Sequence, residues 1–234
     1  MPTAASRSWT ILCDFDGTIS LQDATDVVLE RFARSGWLAL EAEWKTNRIG
    51  SRECMGGQVA LLDAERGELD ACIDNVDLDA SFPQFVTEAQ AAGHHLVIVS
   101  DGIDHTIRRC LTRMGLAQRV PIVSNRLHGS GPRDWRLSFP HSSSQCRRDS
   151  GTCKCAVAKW MSPRQPTLLI GDGASDFCVA GMVDLVFAKG RLIDHCLVNG
   201  IAHHPIDDFS DALRLLVTLQ QTDGDVVLPV SLPA

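Results

Sequence analysis

The stretch Ile11-Leu12-Cys13-Asp14-Phe15-Asp16-Gly17-Thr18-Ile19 decides how this 234-residue chain is read. Its apolar approach, Trp9 to Cys13, is short and suits a buried strand of a parallel sheet, whose carboxyl end opens into the crevice where open α/β sheets bind ligands. In an extended chain Asp14 and Asp16 project to one side and Phe15 to the other. Two carboxylates this close repel each other and are costly to bury unless a cation sits between them. Hard oxygen ligands of this kind suit Mg²⁺. The plainer alternative, a solvated turn rich in Asp and Gly, fits poorly with the apolar strand in front of it.

The pattern recurs downstream. His94 to Val99 reads as a strand running into Ser100-Asp101-Gly102 and a helix from about Asp104, a junction whose amides can hold a phosphate-like anion. Capping or turning is the simpler role for Ser100. Thr167 to Ile170 leads into Gly171-Asp172-Gly173-Ala174-Ser175-Asp176 and a helix from about Phe177. Asp172 and Asp176 flank that turn and suit a cation site completed by Asp14, the lesser alternative for Asp176 being a helix-start acid that acts on the dipole alone. Lys154 stands at the start of a helical stretch, Cys155 to Met161. Acids, a hydroxyl, an ammonium and backbone amides at one sheet edge are the parts that phosphoryl transfer needs. One carboxylate can attack phosphorus to form an aspartyl-phosphate, and the other can protonate the leaving oxygen and later deprotonate water.

Between the first two strands, Asp23 to Arg34, Leu38 to Arg48, Ser51 to Leu62 and Glu65 to Ile73 carry helical periodicity and no convincing strand. Residues 21–79 are therefore expected to form a helical cap over the crevice, with 1–20 and 80–234 as the core domain. Asp23, at the cap's start, could read substrate or simply begin a helix. Lys45, Arg48 or Arg52 could meet a substrate carboxylate, although charges on a helix are usually a solvated face. Further strands are expected at Val120 to Ser124 and Asp184 to Phe187, with a hairpin-like excursion from Asn125 to Pro140. Helices are expected at Phe82 to Ala92, Leu192 to Val198 and Ser210 to Gln220, and an extended or loose tail from Thr222.

A formal charge of −7 gives no support to a nucleic-acid or anionic-membrane surface, and no apolar run suggests a signal peptide or membrane span. A cytoplasmic location is the default. The nine cysteines are then expected to be reduced thiols. His141, Cys146, Cys153 and Cys155 cluster in one loop and could bind zinc, but their spacing matches no standard pair of knuckles. His94, His95, His203 and His204 are read as structural or exposed.

Asp14-Phe15-Asp16-Gly17-Thr18, Ser100, Lys154 and Gly171-Asp172-Gly173-Ala174-Ser175-Asp176 resemble, in order and spacing, the four motifs of the haloacid dehalogenase superfamily of phosphatases. The resemblance runs from about Trp9 to Val198. It implies a Rossmann-like α/β fold, a parallel sheet flanked by helices with a small helical cap after the first strand, and Mg²⁺ as cofactor. By that resemblance Asp14 is the nucleophile and Asp16 the general acid/base. Ser100, Asp101, Gly102 and Lys154 bind phosphate. Asp172 holds the metal with Asp14 and the Asp16 backbone carbonyl, and Asp176 supports it. Within the superfamily the cap resembles the phosphoserine phosphatase group. Asp23, Pro140-His141-Ser142, the cysteine-rich loop and Cys153-Lys154 resemble the branch holding the methionine-salvage phosphatase of 2-hydroxy-3-keto-5-methylthiopentenyl-1-phosphate. The expected partner is a small phosphorylated metabolite, handled by a monomer or homodimer. Phosphoryl transfer to an alcohol, or a phospho-receiver signalling domain, are the alternatives to hydrolysis. The long helical insertion and the Asp-x-Asp pair argue against the receiver.

Overall fold

The computed structural model describes residues 8–161 and 165–221. The tail expected from Thr222 lies outside them. At the centre is β1 (Thr10–Cys13), every residue of which is buried. It pairs in parallel with β2 (His95–Ile103) on one side and β5 (Thr167–Gly171) on the other. Adding β3 (Ile122–Gly131), β4 (Asp134–Ser138), β6 (Leu185–Ala188) and β7 (His203–Pro205) gives a seven-stranded sheet in the order β4-β3-β2-β1-β5-β6-β7, with β4 alone antiparallel to its neighbour.

Alternation along β1 divides the core in two. Ile11 and Cys13 face a layer that includes α5 (Phe82–Ala91), α6 (Asp104–Arg113) and α10 (Phe209–Gln221), while Leu12 faces α7 (Lys154–Met161), α8 (Phe177–Ala180) and α9 (Gly190–Asn199). Burial on both faces explains why the central strands are continuous apolar runs. Helices α1 (Ala24–Phe32), α2 (Trp37–Lys45), α3 (Ser51–Ala60) and α4 (Arg66–Ile73) follow β1 without an intervening strand. Among the described residues, no helix is long and apolar enough to cross a membrane.

Two sheet edges differ from expectation. The strand expected to stop at Val99 continues through Ser100 to Ile103, and its register against β3 shifts between Val99 and Ile103. Such a bulge re-aims side chains at a strand end without ending the strand. β7 was not expected as a strand: three residues are too few to show a period. His203 is buried there, with its Nδ1 against the Ile201 carbonyl at 2.8 Å.

The β3–β4 hairpin, at one edge of the sheet, lies against the helical insertion. Trp135, 2% exposed, donates its indole N–H to the Ala64 carbonyl at 2.8 Å. Arg133 donates to the Asp63 carbonyl at 2.9 Å and to Glu68 at 2.7 Å. On the far side, Arg109 of α6 pairs with Asp74 at 2.6 Å, and His105 meets Asp70 of α4 at 2.6 Å.

Candidate active site

Register brings the predicted residues to one edge. Cys13 stands opposite Ile98 and Ile170, so Asp14 and Asp172, just past the ends of β1 and β5, and Ser100 within β2 stand at nearly the same level. The Asp14 N–H still completes the ladder, donating to the Ile170 carbonyl at 2.8 Å. Its carboxylate is buried, accepting from the Phe15 N–H at 2.7 Å through Oδ1 and meeting Lys154 Nζ at 2.7 Å through Oδ2. Burial and then the Asp176 charge push this carboxyl up to about 7, against the pull of Lys154.

Lys154, the first residue of α7, reaches three groups. Besides Asp14 it donates to Asp176 at 2.7 Å and to Ser175 Oγ at 2.9 Å. The charges of Asp14 and Asp176 outweigh the cost of burying the ammonium, whose pKa is raised. Asp176 is fully buried, and its second oxygen accepts from the Asp172 and Gly173 amides at 3.2 and 3.3 Å. Asp172 accepts from Thr18 Oγ1 at 3.2 Å, and burial followed by the Asp14 charge raises it to about 6. Gly17 is required here: its φ is +72°, and a Cβ would overlap the Asp172 carboxylate.

Asp16 turns away from this group, toward the helical insertion. Its Oδ1 accepts from the Ala24 N–H at 2.9 Å, and Ser100 Oγ donates to its Oδ2 at 3.4 Å. Burial, then the nearby Asp23 charge, holds its pKa well above the carboxylate range. Ser100 also accepts from the Gly102 N–H at 2.9 Å, and a Cβ at Gly102 would lie 2.5 Å from Asp16 Oδ2. The carboxylate of Asp101 does not join the acids. It accepts from Ser51 Oγ at 2.6 Å and the Thr152 N–H at 2.8 Å, and Asn125 donates to it at 3.1 Å. This ties α3 to the loop before Lys154.

The residues expected to read substrate have other partners. Asp23 caps α1, accepting from the Thr25 and Asp26 amides at 2.9 and 3.0 Å. Arg52 pairs with Asp149 at 2.9 Å, Lys45 with Glu41 at 2.9 Å, and exposed Arg48 donates to Thr46 Oγ1 at 3.2 Å. Sequence reasoning passed over Ser175, Thr18, Lys189 and Asn125. Ser175 donates to Asp14 at 3.3 Å, and buried Lys189 donates to the Thr18 carbonyl at 3.1 Å. Ser175 and Thr18 fall inside the quoted motifs, so position offered a signal for them. Lys189 and Asn125 reach the edge only through tertiary packing.

Oxygen atoms of Asp14, Asp172 and Asp176 lie within 4.8 Å of one another. These three carboxylates outnumber the two nearby ammonium groups, Lys154 and Lys189, an excess of negative charge that a hard divalent cation would balance. The donor set therefore fits Mg²⁺. By contrast, no three of His141, Cys146, Cys153 and Cys155 bring ligand atoms within that distance.

The family model of haloacid dehalogenase-like hydrolases matches residues 11–181, which hold every strand and turn just described except the last two strands. The chain belongs to the haloacid dehalogenase-like hydrolases. Among curated relatives of this hydrolase, a 2-hydroxy-3-keto-5-methylthiopentenyl-1-phosphate phosphatase of Exiguobacterium sp. is 32% identical over 86% of the chain and 94% of the relative. One of the same name from Geobacillus kaustophilus is 31% identical over 92% and 98%. A solved substrate-bound phosphoserine phosphatase superposes with a TM-score of 0.64 over 89% of this chain and 98% of that one, at 19% identity. The fold of this hydrolase is thus that of the phosphoserine phosphatases, a mostly parallel sheet between helical layers.

Proposed function

We propose that the protein is a Mg²⁺-dependent phosphatase that hydrolyses a small-metabolite phosphomonoester through an aspartyl-phosphate on Asp14. The observation that carries this is the buried contact of Asp14 with Lys154 at 2.7 Å beside Asp172 and Asp176. Asp14 and Asp172 would hold the metal, with Asp16 contributing through its main chain and Asp176 placed behind. Bound Mg²⁺ would neutralise phosphate oxygens as a Lewis acid, so that an anion can approach the acids.

The remaining chemistry belongs to the chain. Lys154 offers positive charge to the transferring group, and Ser100 offers a hydroxyl. Asp14 attacks phosphorus as the ester P–O bond breaks, and Asp16, whose burial favours the protonated form, delivers its proton to the leaving oxygen. Asp16 then takes a proton from the water that attacks the phosphorylated Asp14, releasing phosphate and restoring both carboxyls. Residues 21–79 act as a cap, and 1–20 with 80–234 as the catalytic core. The names of the two relatives make 2-hydroxy-3-keto-5-methylthiopentenyl-1-phosphate the first substrate to test.

The test is phosphate release from that ester and from a panel of phosphoamino acids, sugar phosphates and phosphocholine-type esters, with MgCl₂ and after chelation. Release is expected only with the metal. Asp14→Asn should lower it by about a thousandfold or more while leaving the circular dichroism spectrum unchanged. Full turnover in that variant would exclude the covalent route.

A further inference from the structure

Lys189 is a buried ammonium that no step of the proposed hydrolysis uses. It is 9% exposed, follows β6 and is the N-cap residue of α9, where the helix dipole disfavours a cation. Lys154 meets two carboxylates. Among the described residues Lys189 forms no ion pair, and its Nζ donates to the Thr18 main-chain carbonyl at 3.1 Å. Burying a charge without a counter-ion is costly, so packing alone does not account for this residue.

Its contacts close around Asp172. Thr18, whose carbonyl Lys189 holds, donates its hydroxyl to Asp172 Oδ1 at 3.2 Å. The Lys189 N–H donates to the Gly171 carbonyl at 2.8 Å, and the Leu192 N–H to the Asp172 carbonyl at 2.9 Å. Gly190, at φ +48°, lets the chain approach, since a Cβ there would lie 3.3 Å from the Asp172 carbonyl oxygen. The Lys189 side chain thus holds the turn after β1, and its main chain holds the turn after β5. These are the turns that carry Asp16 and Asp172.

We propose, resting on the Mg²⁺ reading of this site, that Lys189 is a positioning residue: through Thr18 it holds the Asp172 carboxylate and the Asp16–Thr18 turn in the arrangement that takes up a divalent cation. Groups that hold metal ligands from behind typically change affinity by about 10- to 100-fold when removed. Simple charge balance acts with the opposite sign, because an ammonium near the acids repels a cation. Burial and the Asp14 charge raise the Asp172 pKa while the Lys189 charge opposes them, so its field reaches this carboxylate. The direction in which affinity moves when Lys189 is removed therefore separates bracing from charge balance.

Titrating Mn²⁺, a paramagnetic stand-in for Mg²⁺, into full-length protein without substrate, with free ion read by electron paramagnetic resonance, provides the test. Lys189→Met and Thr18→Val should each weaken binding by about tenfold or more, and Thr18→Ser, which keeps the hydroxyl, should restore it. The double variant Lys189→Met/Thr18→Val should bind no worse than Lys189→Met alone, and the Mg²⁺-induced rise in urea midpoint should shrink in step. Lys189→Gln takes the place of Lys189→Met if the latter does not fold. Unchanged or tighter binding by the Lys189 variant, additive losses in the double variant, or failure of both Lys189 variants to fold would each overturn the proposal. Absence of Mn²⁺ binding by the unaltered protein would remove the Mg²⁺ reading itself, and this inference with it.

Discussion

Asp14 and Asp16 are two residues apart, yet their surroundings give them opposite tasks. Asp14 faces an ammonium at 2.7 Å, whereas Asp16 faces a backbone amide, a serine hydroxyl and the charge of Asp23. A group whose protonated form is favoured by burial suits a general acid, so Asp16→Asn should lower turnover of alkyl phosphates by about 10²- to 10⁴-fold. The deficit should be smaller for an aryl phosphate, whose leaving oxygen needs less protonation, and comparing kcat for the two substrates checks this. Asp23 shows how one carboxylate can be read two ways. Its two hydrogen bonds to α1 amides make it an N-cap, and Asp23→Ala should cost about 1 kcal/mol in urea unfolding, with Asp23→Asn costing little. If Asp23 also contacts substrate, the Asn variant will raise KM while its stability holds.

At the scale of elements, the central strands, the strand-end acids and most helices were legible because burial on both faces leaves continuous apolar runs and the turns that follow are rich in Gly and Asp. The continuation of β2 through Ser100 was not legible. A bulge depends on the register of the neighbouring strand, which no local pattern records. The partners of Asp101 were hidden for a similar reason, since Ser51, Asn125 and Thr152 come from three separate segments. Asp23, Arg48 and Arg52 were visible as charges, but only the folded chain shows which neighbour each one takes. The hairpin was visible as an excursion, and its docking was not. Trp135→Phe removes the indole donor and leaves the Ala64 carbonyl without it, so this variant should be about 1–3 kcal/mol less stable by urea unfolding.

For the whole molecule, the buried acids make stability depend on both pH and metal. Folding raises Asp14 to about 7 and Asp172 to about 6 from 3.8, so each holds its proton more tightly when folded than when unfolded. Their stabilising effect in the metal-free protein is complete below the unfolded value of 3.8, and it is lost as pH rises through about 6 and about 7. Added MgCl₂ should restore stability most above that window, because metal ligands must be deprotonated. Urea midpoints across pH, with Mg²⁺ or a chelator, check this, and Asp172→Asn should flatten the dependence. The docked hairpin also bears on modularity. Ala64, Asp63 and Glu68 receive donors from Trp135 and Arg133, which lie some seventy residues along the chain. Transplanting residues 21–79 alone into a related scaffold would leave the Ala64 and Asp63 carbonyls and the Glu68 carboxylate without these donors. The exchangeable unit is the helices together with β3 and β4, two stretches distant in sequence that must be inherited as one.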